Sequence, residues 1–432
     1  MFANSFRFWL LAAGAIIYVG CAPVKFSADV DCGAFGGECV RVDGRAVGKP
    51  QTFSMNGGKV DVIVINDNSA SMSPYQEKLA DRLESLLAVL DGTRADYRLA
   101  ITTTDISSKI GASPMNPPRR INQNGELQDG RLVSFSNGLK FLTPKDTDRL
   151  RMFREAIKRN ETDECDRFLR SSGNLDWNSA GVIEHCVSGD ERGLFAAQLV
   201  LKNNPAGVIR NDSVKVVFVI ITNEDVRSGS YAKVDQASDS TYRLWTEDSP
   251  NNLLTQFRAL YPRKTLEFST IGILPGELKA GLDAETVASA IFDSFRQGGS
   301  LSMQNTPDKF FSNRSQACFD EANRESTTAN VTPGFSYLYS LMSLITGGIQ
   351  TSLCEKDYGK SLEAIAKNAI RNRFYVCPGL RIEKAWMGDV QNEVSGRAIN
   401  VRVEEDGFAR FPDDLSPGEL VNLKFSCSAV RR

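Results

Sequence analysis

Val60-Asp61-Val62-Ile63-Val64-Ile65-Asn66-Asp67-Asn68-Ser69-Ala70-Ser71 is a nearly unbroken apolar run that ends in Asp-x-Ser-x-Ser. Such runs mark strands buried on both faces of a parallel sheet. Three more follow, at Tyr97 to Thr102, Val214 to Ile221 and Leu266 to Leu274. Between them lie amphipathic segments: Leu79, Leu83, Leu86, Leu87 and Leu90 form one helical stripe closed by Gly92. Further helices are predicted at Arg149 to Ile157, at Gly193 to Leu201, around Val287, Ile291 and Phe295, at Tyr337 to Ile345 and at Leu362 to Ile370. Alternating strands and helices predict a doubly wound, mostly parallel α/β sheet flanked by helices.

In an open α/β sheet, ligands gather outside the carboxyl ends of the strands, which is where Asp67 falls. The competing duty for Asp and Ser at a strand-to-helix turn is capping. Ser73-Pro74-Tyr75-Gln76 reads as a capping box, with Ser73 as N-cap, Pro74 at the first helical position and Gln76 reaching back. Asp67, Ser69 and Ser71 are then free of that duty. One carboxylate and two hydroxyls at alternate positions make a hard oxygen set suited to Mg²⁺, with Mn²⁺ or Ca²⁺ as the other ions.

Composition removes most other chemistries. Basic and acidic residues nearly cancel, 51 against 53, and no basic face with interleaved aromatics offers a nucleic-acid groove. The one histidine, His185, sits beside Cys186, which argues against His-based catalysis and a His-rich metal site. No Gly-x-Gly-x-x-Gly or Walker loop follows a strand. Ser69 stands where a haloacid-dehalogenase-like phosphotransferase needs a second aspartate. No catalytic residue and no small-molecule substrate are expected.

Arg7 precedes an apolar stretch from Phe8 to Val19 that is too short to span a bilayer and fits an export signal. It ends in Tyr18-Val19-Gly20-Cys21, which resembles a bacterial lipobox and implies lipidation of Cys21; plain secretion and an uncleaved anchor are the other readings. Ala22 lacks the aspartate associated with inner-membrane retention, so the outer membrane is the expected site. Eight cysteines remain beside Cys21, an even number that fits an oxidising compartment. Proximity along the chain pairs Cys32 with Cys39, Cys165 with Cys186, Cys318 with Cys354 and Cys377 with Cys427, among the 105 connectivities that eight cysteines allow.

The expected organisation is a signal and lipobox over 1–21, a Gly-rich tether over 22–57, the α/β domain over 58–371 and a small β module over 372–432. In that module Val401-Arg402-Val403 and Val421 to Phe425 alternate with a period of two. Two polar segments, Asn160 to Val187 and Gly298 to Thr332, read as loops on the core that cysteines could pin.

Asp-x-Ser-x-Ser between an apolar strand and a long helix resembles the metal-ion-dependent adhesion site of von Willebrand factor A domains. Ile220-Ile221-Thr222-Asn223 is similar to that family's Ile-Thr-Asp-Gly, and Ile345-Thr346-Gly347-Gly348 to the Thr-Gly-Gly before its last strand. Together with the lipobox and the Gly189-Asp190-Glu191-Arg192-Gly193 segment, the chain resembles bacterial lipoproteins that carry such a domain. The resemblance implies Asp67, Ser69 and Ser71 as ligands. It places Asp190, with Ser188 in reserve, where the family has a threonine, and Asn223 where it has an aspartate. N-capping is the competing role for Asp190. The resemblance also implies a partner carboxylate completing the ion's shell, and so metal-bridged protein recognition at the envelope without catalysis. The competing reading is a metal-free structural lipoprotein or assembly subunit.

Overall fold

The computed structural model describes residues 59–93, 95–106, 127–173, 180–186, 191–226, 244–262, 264–296, 309–325 and 333–370, and the backbone of the strands within 39–56 and 373–428. The N-terminal strands are β1 (Cys39–Val42), β2 (Arg45–Gly48) and β3 (Gln51–Asn56). The central strands are β4 (Lys59–Asn66), β5 (Asp96–Thr103), β6 (Lys215–Ile221) and β7 (Thr265–Gly272). A small ribbon pairs β8 (Glu277–Leu278) with β9 (Phe311–Ser312), and β10 (Gln350–Ser352) lies on the edge of the central sheet.

That sheet has the order β10-β7-β6-β4-β5, and every pairing in it is parallel. All seven residues of β6 and all eight of β7 are buried. This is what helices on both faces require, and it is why these strands read as apolar runs rather than alternating ones. The order steps from β4 outward to β5 and then back across to β6, so the exits of β4 and β6 flank the switch point of the sheet.

The helices are α1 (Ser73–Ala80), α2 (Leu83–Gly92), α3 (Arg149–Ile157), α4 (Asn160–Ser172), α5 (Ala180–His185), α6 (Gly193–Asn203), α7 (Pro250–Leu260), α8 (Ala284–Arg296), α9 (Gln316–Glu325), α10 (Tyr337–Thr346) and α11 (Tyr358–Ala369). Their contacts sort them into two groups. One runs α11 to α2 to α3 to α1, and the other runs α6 to α7 to α8 to α10. Leu83, Leu86, Leu87 and Leu90 of α2 are buried, as their stripe predicts. The Thr346-Gly347-Gly348 turn ends α10 and starts β10. Gly347 takes φ +68°, and a Cβ on Gly348 would lie 1.9 Å from the Phe268 carbonyl oxygen. Only glycine fits both demands.

Two expectations are corrected. The segments read as loops contain α4, α5 and α9. In α4 the buried face is only Thr162, Cys165 and Leu169, too thin a stripe to stand out in a polar sequence. The tether read over 22–57 holds strands within 39–56. β3 pairs antiparallel with a C-terminal strand over six residues, from Gln51 opposite Phe425 to Asn56 opposite Leu420.

The C-terminal strands are β11 (Arg373–Tyr375), β12 (Arg381–Ile382), β13 (Val390–Asn392), β14 (Ala398–Ile399), β15 (Arg402–Val403), β16 (Phe408–Arg410), β17 (Leu420–Phe425) and β18 (Cys427–Ser428). They form sheets β1-β2-β18-β12, β14-β13-β17-β3 and β11-β16-β15. The β module is therefore discontinuous: chain on both sides of the α/β domain supplies it. A fifty-residue C-terminal module would be marginal alone, and the N-terminal strands supply its missing partners.

Candidate metal site

The Asp67 loop starts at the switch point. The Asp67 N–H donates to the Ile221 carbonyl at 3.0 Å, which fastens the exit of β4 to the exit of β6. The Asp67 carboxylate is fully buried. Its Oδ1 accepts the Ser69 N–H at 2.9 Å and its Oδ2 accepts the Thr222 hydroxyl at 2.8 Å. Burial pushes this carboxyl above the usual carboxylate range, and the Ser69 and Thr222 hydrogen bonds oppose the rise. Both of these donors are neutral, so they stabilise the carboxylate by dipoles alone.

Ser69 and Ser71 flank Ala70 at the start of a 3₁₀ turn over Ala70–Met72, and neither hydroxyl caps it. Instead Ser69 Oγ lies 3.1 Å from Ser71 Oγ, and Ser71 Oγ lies 3.3 Å from Asn223 Oδ1. All three residues are buried. With Mg–O bonds of about 2.1 Å, neighbouring oxygens of an octahedron stand about 3.0 Å apart. The two spacings match such edges within a few tenths of an ångström, and the donors are the hard oxygens that Mg²⁺ takes. The donor set therefore fits the ion that the sequence implies. Asn68 adds a buried amide oxygen, Oδ1, with no hydrogen-bond partner.

The capping-box expectation is corrected. The N-cap of α1 is Met72, with no side-chain capping bond, and Pro74 is its second residue. The Ser73 hydroxyl donates to Asp163 Oδ1 at 2.6 Å. Gln76 turns inward, donating to the Asp67 carbonyl at 2.7 Å and accepting the Arg159 N–H at 3.1 Å. Ser69 and Ser71 are free of capping because their hydroxyls face each other and Asn223, not because a capping box replaces them.

Asp190 and Ser188 lie outside the described residues. Asp225, two residues past Asn223, serves α10: both of its carboxylate oxygens accept the Leu338 N–H at 3.1 Å. Burial lifts its pKa to about 7 against the pull of those backbone donors. Asp105, at the exit of β5, is buried among the Thr103 hydroxyl, the Gln128 N–H at 3.3 Å and the Asn68 side chain. Burial raises it to about 7 as well. Thr222, Gln76, Thr162 and Asp105 are absent from the sequence-derived site. Of these Thr222 left a signal, since it follows the buried run of β6, and Gln76 left one that read as a helix cap. Among the described residues no cluster of three His, Cys, Asp or Glu side chains forms; a site built on hydroxyls and one carboxylate is of another kind.

The bonds Cys165–Cys186 and Cys318–Cys354 form as expected. Cys21, Cys32 and Cys377 lie outside the described residues, while Cys39 and Cys427 are described by backbone only, in β1 and β18. His185 stacks on Phe168 at 4.5 Å and meets Glu164 at 3.0 Å beside the first disulfide. Among the described residues no helix is long and apolar enough to cross a membrane.

A cavity of about 1090 Å³ lies at the opposite end of the sheet, where Lys59, Asp96, Arg98, Arg149, Arg210 and Asp212 line it. Its charges largely neutralise one another: Lys59 pairs with Asp212, and Arg210 pairs with Asp61 and Asp96.

No family model and no curated protein matches the chain. Among solved structures it is similar to the pilus adhesin SpaC from Lactobacillus rhamnosus GG, at TM-score 0.30 and 9% identity over 89% of this chain and 43% of that one. The human COPII-coat protein Sec24c follows at TM-score 0.29 and 10% identity, over 88% of this chain and 40% of that one. Three N-terminal domains of the type V pili tip protein Mfa5 from Porphyromonas gingivalis give TM-score 0.24 and 10% identity, over 91% and 67%. The chain spans less than half the length of SpaC and Sec24c. The doubly wound α/β fold rests on the strand order and register described above, and these likenesses add no weight to it.

Proposed function

We propose that this chain is a non-catalytic recognition module of the cell envelope. It binds a protein partner through Mg²⁺ held by Asp67, Ser69 and Ser71, with Asn223 beside them and Asp190 as the further ligand. The ion supplies a positive charge at an open position, and a partner carboxylate completes the shell. The observation that carries this reading is the chain of three buried oxygens, Ser69 Oγ, Ser71 Oγ and Asn223 Oδ1, spaced at 3.1 and 3.3 Å beside the buried Asp67 carboxylate. Burying these oxygens costs hydration that the 3.1 and 3.3 Å contacts among them offset only in part, whereas a bound cation would satisfy all of them at once. Two disulfides support maturation in an oxidising compartment, and lipidation of Cys21 would anchor the chain at the outer membrane.

Calorimetric titration with Mg²⁺ and Mn²⁺ tests the site. Wild-type protein should bind one ion, and both Ser69→Ala/Ser71→Ala and Asp190→Ala should abolish binding. Capture of an envelope or extracellular protein should then be lost in EDTA. Capture that is indifferent to chelator, with no ion bound, supports the metal-free structural or assembly role instead.

A further inference from the structure

We infer that α4, clamped by the Cys165–Cys186 bond, holds the Asp67 loop in its ion-binding shape, with Thr162 and Gln76 as the positioning residues; this rests on the ion reading proposed above. After Asn66 the chain leaves the sheet, and the carbonyls of Asp67 and Asn68 lose their ladder partners. Side chains replace those partners. Gln76 Nε2 donates to the Asp67 carbonyl at 2.7 Å, and Thr162 Oγ1 donates to the Asn68 carbonyl at 2.9 Å. The two are linked by a longer contact of 3.4 Å between Gln76 Nε2 and Thr162 Oγ1. Thr162 is fully buried and Gln76 nearly so, so each bond is made out of water, where an unsatisfied carbonyl is costly.

The next residue along the loop is gripped differently. Ala70, between the two serines, packs with Cys165, Leu169 and Val182 in a small core separate from the main one. Thr162, Cys165 and Leu169 are spaced three and four apart and share one face of α4. That single face therefore holds the Asn68 peptide by a hydrogen bond and Ala70 by contact. The disulfide to Cys186 ties α4 to α5, whose Val182 completes the small core. Because Ser69 and Ser71 sit on either side of Ala70, a turn of either neighbouring peptide would swing their hydroxyls off the positions they occupy. Mg²⁺ demands near-ideal octahedral geometry, so a loose loop is a poor site.

The test compares wild type with Thr162→Val, Thr162→Ser and the double variant Cys165→Ala/Cys186→Ala, beginning with metal-free protein. Amide exchange of a peptide covering residues 67–72 should rise about tenfold in Thr162→Val, the size of effect expected from one lost buried hydrogen bond. Exchange in peptides from β6 and β7 should stay unchanged, and Thr162→Ser should restore protection. Equal loss of protection in all three regions means that α4 contributes only global stability, which overturns the inference. If Thr162→Val does not fold, the double cysteine variant takes its place, with selective loosening of residues 67–72 as the supporting result. In Mn²⁺ titrations, Thr162→Val should bind about tenfold more weakly than wild type and Thr162→Ser within about twofold of it; equal affinity in Thr162→Val overturns the inference. Absence of Mn²⁺ binding by wild type sinks the ion reading, and the exchange comparison alone then decides the positioning one.

Discussion

Strand β4 buries one carboxylate near its start and another just past its end, and the chain treats them differently. Asp61, at the base, accepts the Arg210 N–H at 2.9 Å and the Arg210 Nε at 2.8 Å. Arg210 continues to Asp96 Oδ1 at 2.7 Å and to the carbonyls of Val60 and Asp96. Asp67, at the top, is met by the Ser69 N–H, the Thr222 hydroxyl and the Ser69 side chain, all neutral. Burial raises both carboxyls, and at the base the Arg210 guanidinium pulls Asp61 back. The base is a finished ion pair, whereas the top has the dipoles that orient a carboxylate, and among the described residues no cation is bonded to it. The difference separates a stabilising site from one suited to a ligand. Removing the base cation should therefore hurt most: Arg210→Ala leaves Asp61 buried and unpaired, and should cost about 3–5 kcal/mol in urea unfolding. Asp67→Asn in metal-free protein should cost less than about 1 kcal/mol, because the amide still accepts a hydrogen bond and no charge is left buried. Equal losses in the two variants would break the comparison.

Asp105 extends the contrast to β5, since it too is buried among neutral donors and is lifted from 3.8 to about 7. A carboxyl with a folded pKa above its unfolded one binds protons more tightly when folded. Its contribution to stability is complete below about pH 4 and is lost as pH rises through about 7. Wild-type stability should therefore fall over that window, and Asp105→Asn should remove up to about 4 kcal/mol of the fall. Urea midpoints at pH 5 and pH 8 check it, and identical slopes in the two proteins would refute it. A somewhat smaller effect should follow from ion binding. At a hundredfold excess over Kd, Mg²⁺ should stabilise wild type by about 2.7 kcal/mol, while Ser69→Ala/Ser71→Ala and Asp67→Asn gain nothing.

How legible these features were in the sequence follows from what surrounds each residue. Strands β4 to β7 stood out because both of their faces are covered, and α3 matched its expected bounds because Met152, Phe153, Ala156 and Ile157 make a clean stripe. Asp67, Ser69 and Ser71 were visible as a local pattern. The chemistry around them was not, because Thr222, Gln76 and Thr162 reach the loop from 155, 9 and 94 residues away along the chain. Helix propensity also made Gln76 look like a cap, when the bare carbonyl of Asp67 proved the stronger claim on it. The N-terminal strands escaped notice for a different reason. Phe53 and Met55 alternate with polar neighbours over only six residues, and their partner strand begins at Leu420. Pairings that distant leave no local signature.

The smallest expected effect sharpens the comparison furthest, because it concerns the charge at the top of the sheet. Asn223 stands where an aspartate would add a second carboxylate, 3.3 Å from Ser71 Oγ. Asn223→Asp keeps the shape and adds that charge. Without metal it should cost about 1 kcal/mol through repulsion with Asp67 and through burial. With Mn²⁺ it should tighten binding about tenfold, or about 1.4 kcal/mol, since a charged oxygen replaces a neutral one on a hard cation. If Asp190 already supplies the charge that Asn223 lacks, the two positions are interchangeable. Asp190→Ala then loses Mn²⁺, and Asp190→Ala/Asn223→Asp recovers most of the wild-type affinity. A double variant that stays as weak as Asp190→Ala would show that the positions are not exchanging charge, and that Asn223 acts through its hydrogen bond with Ser71.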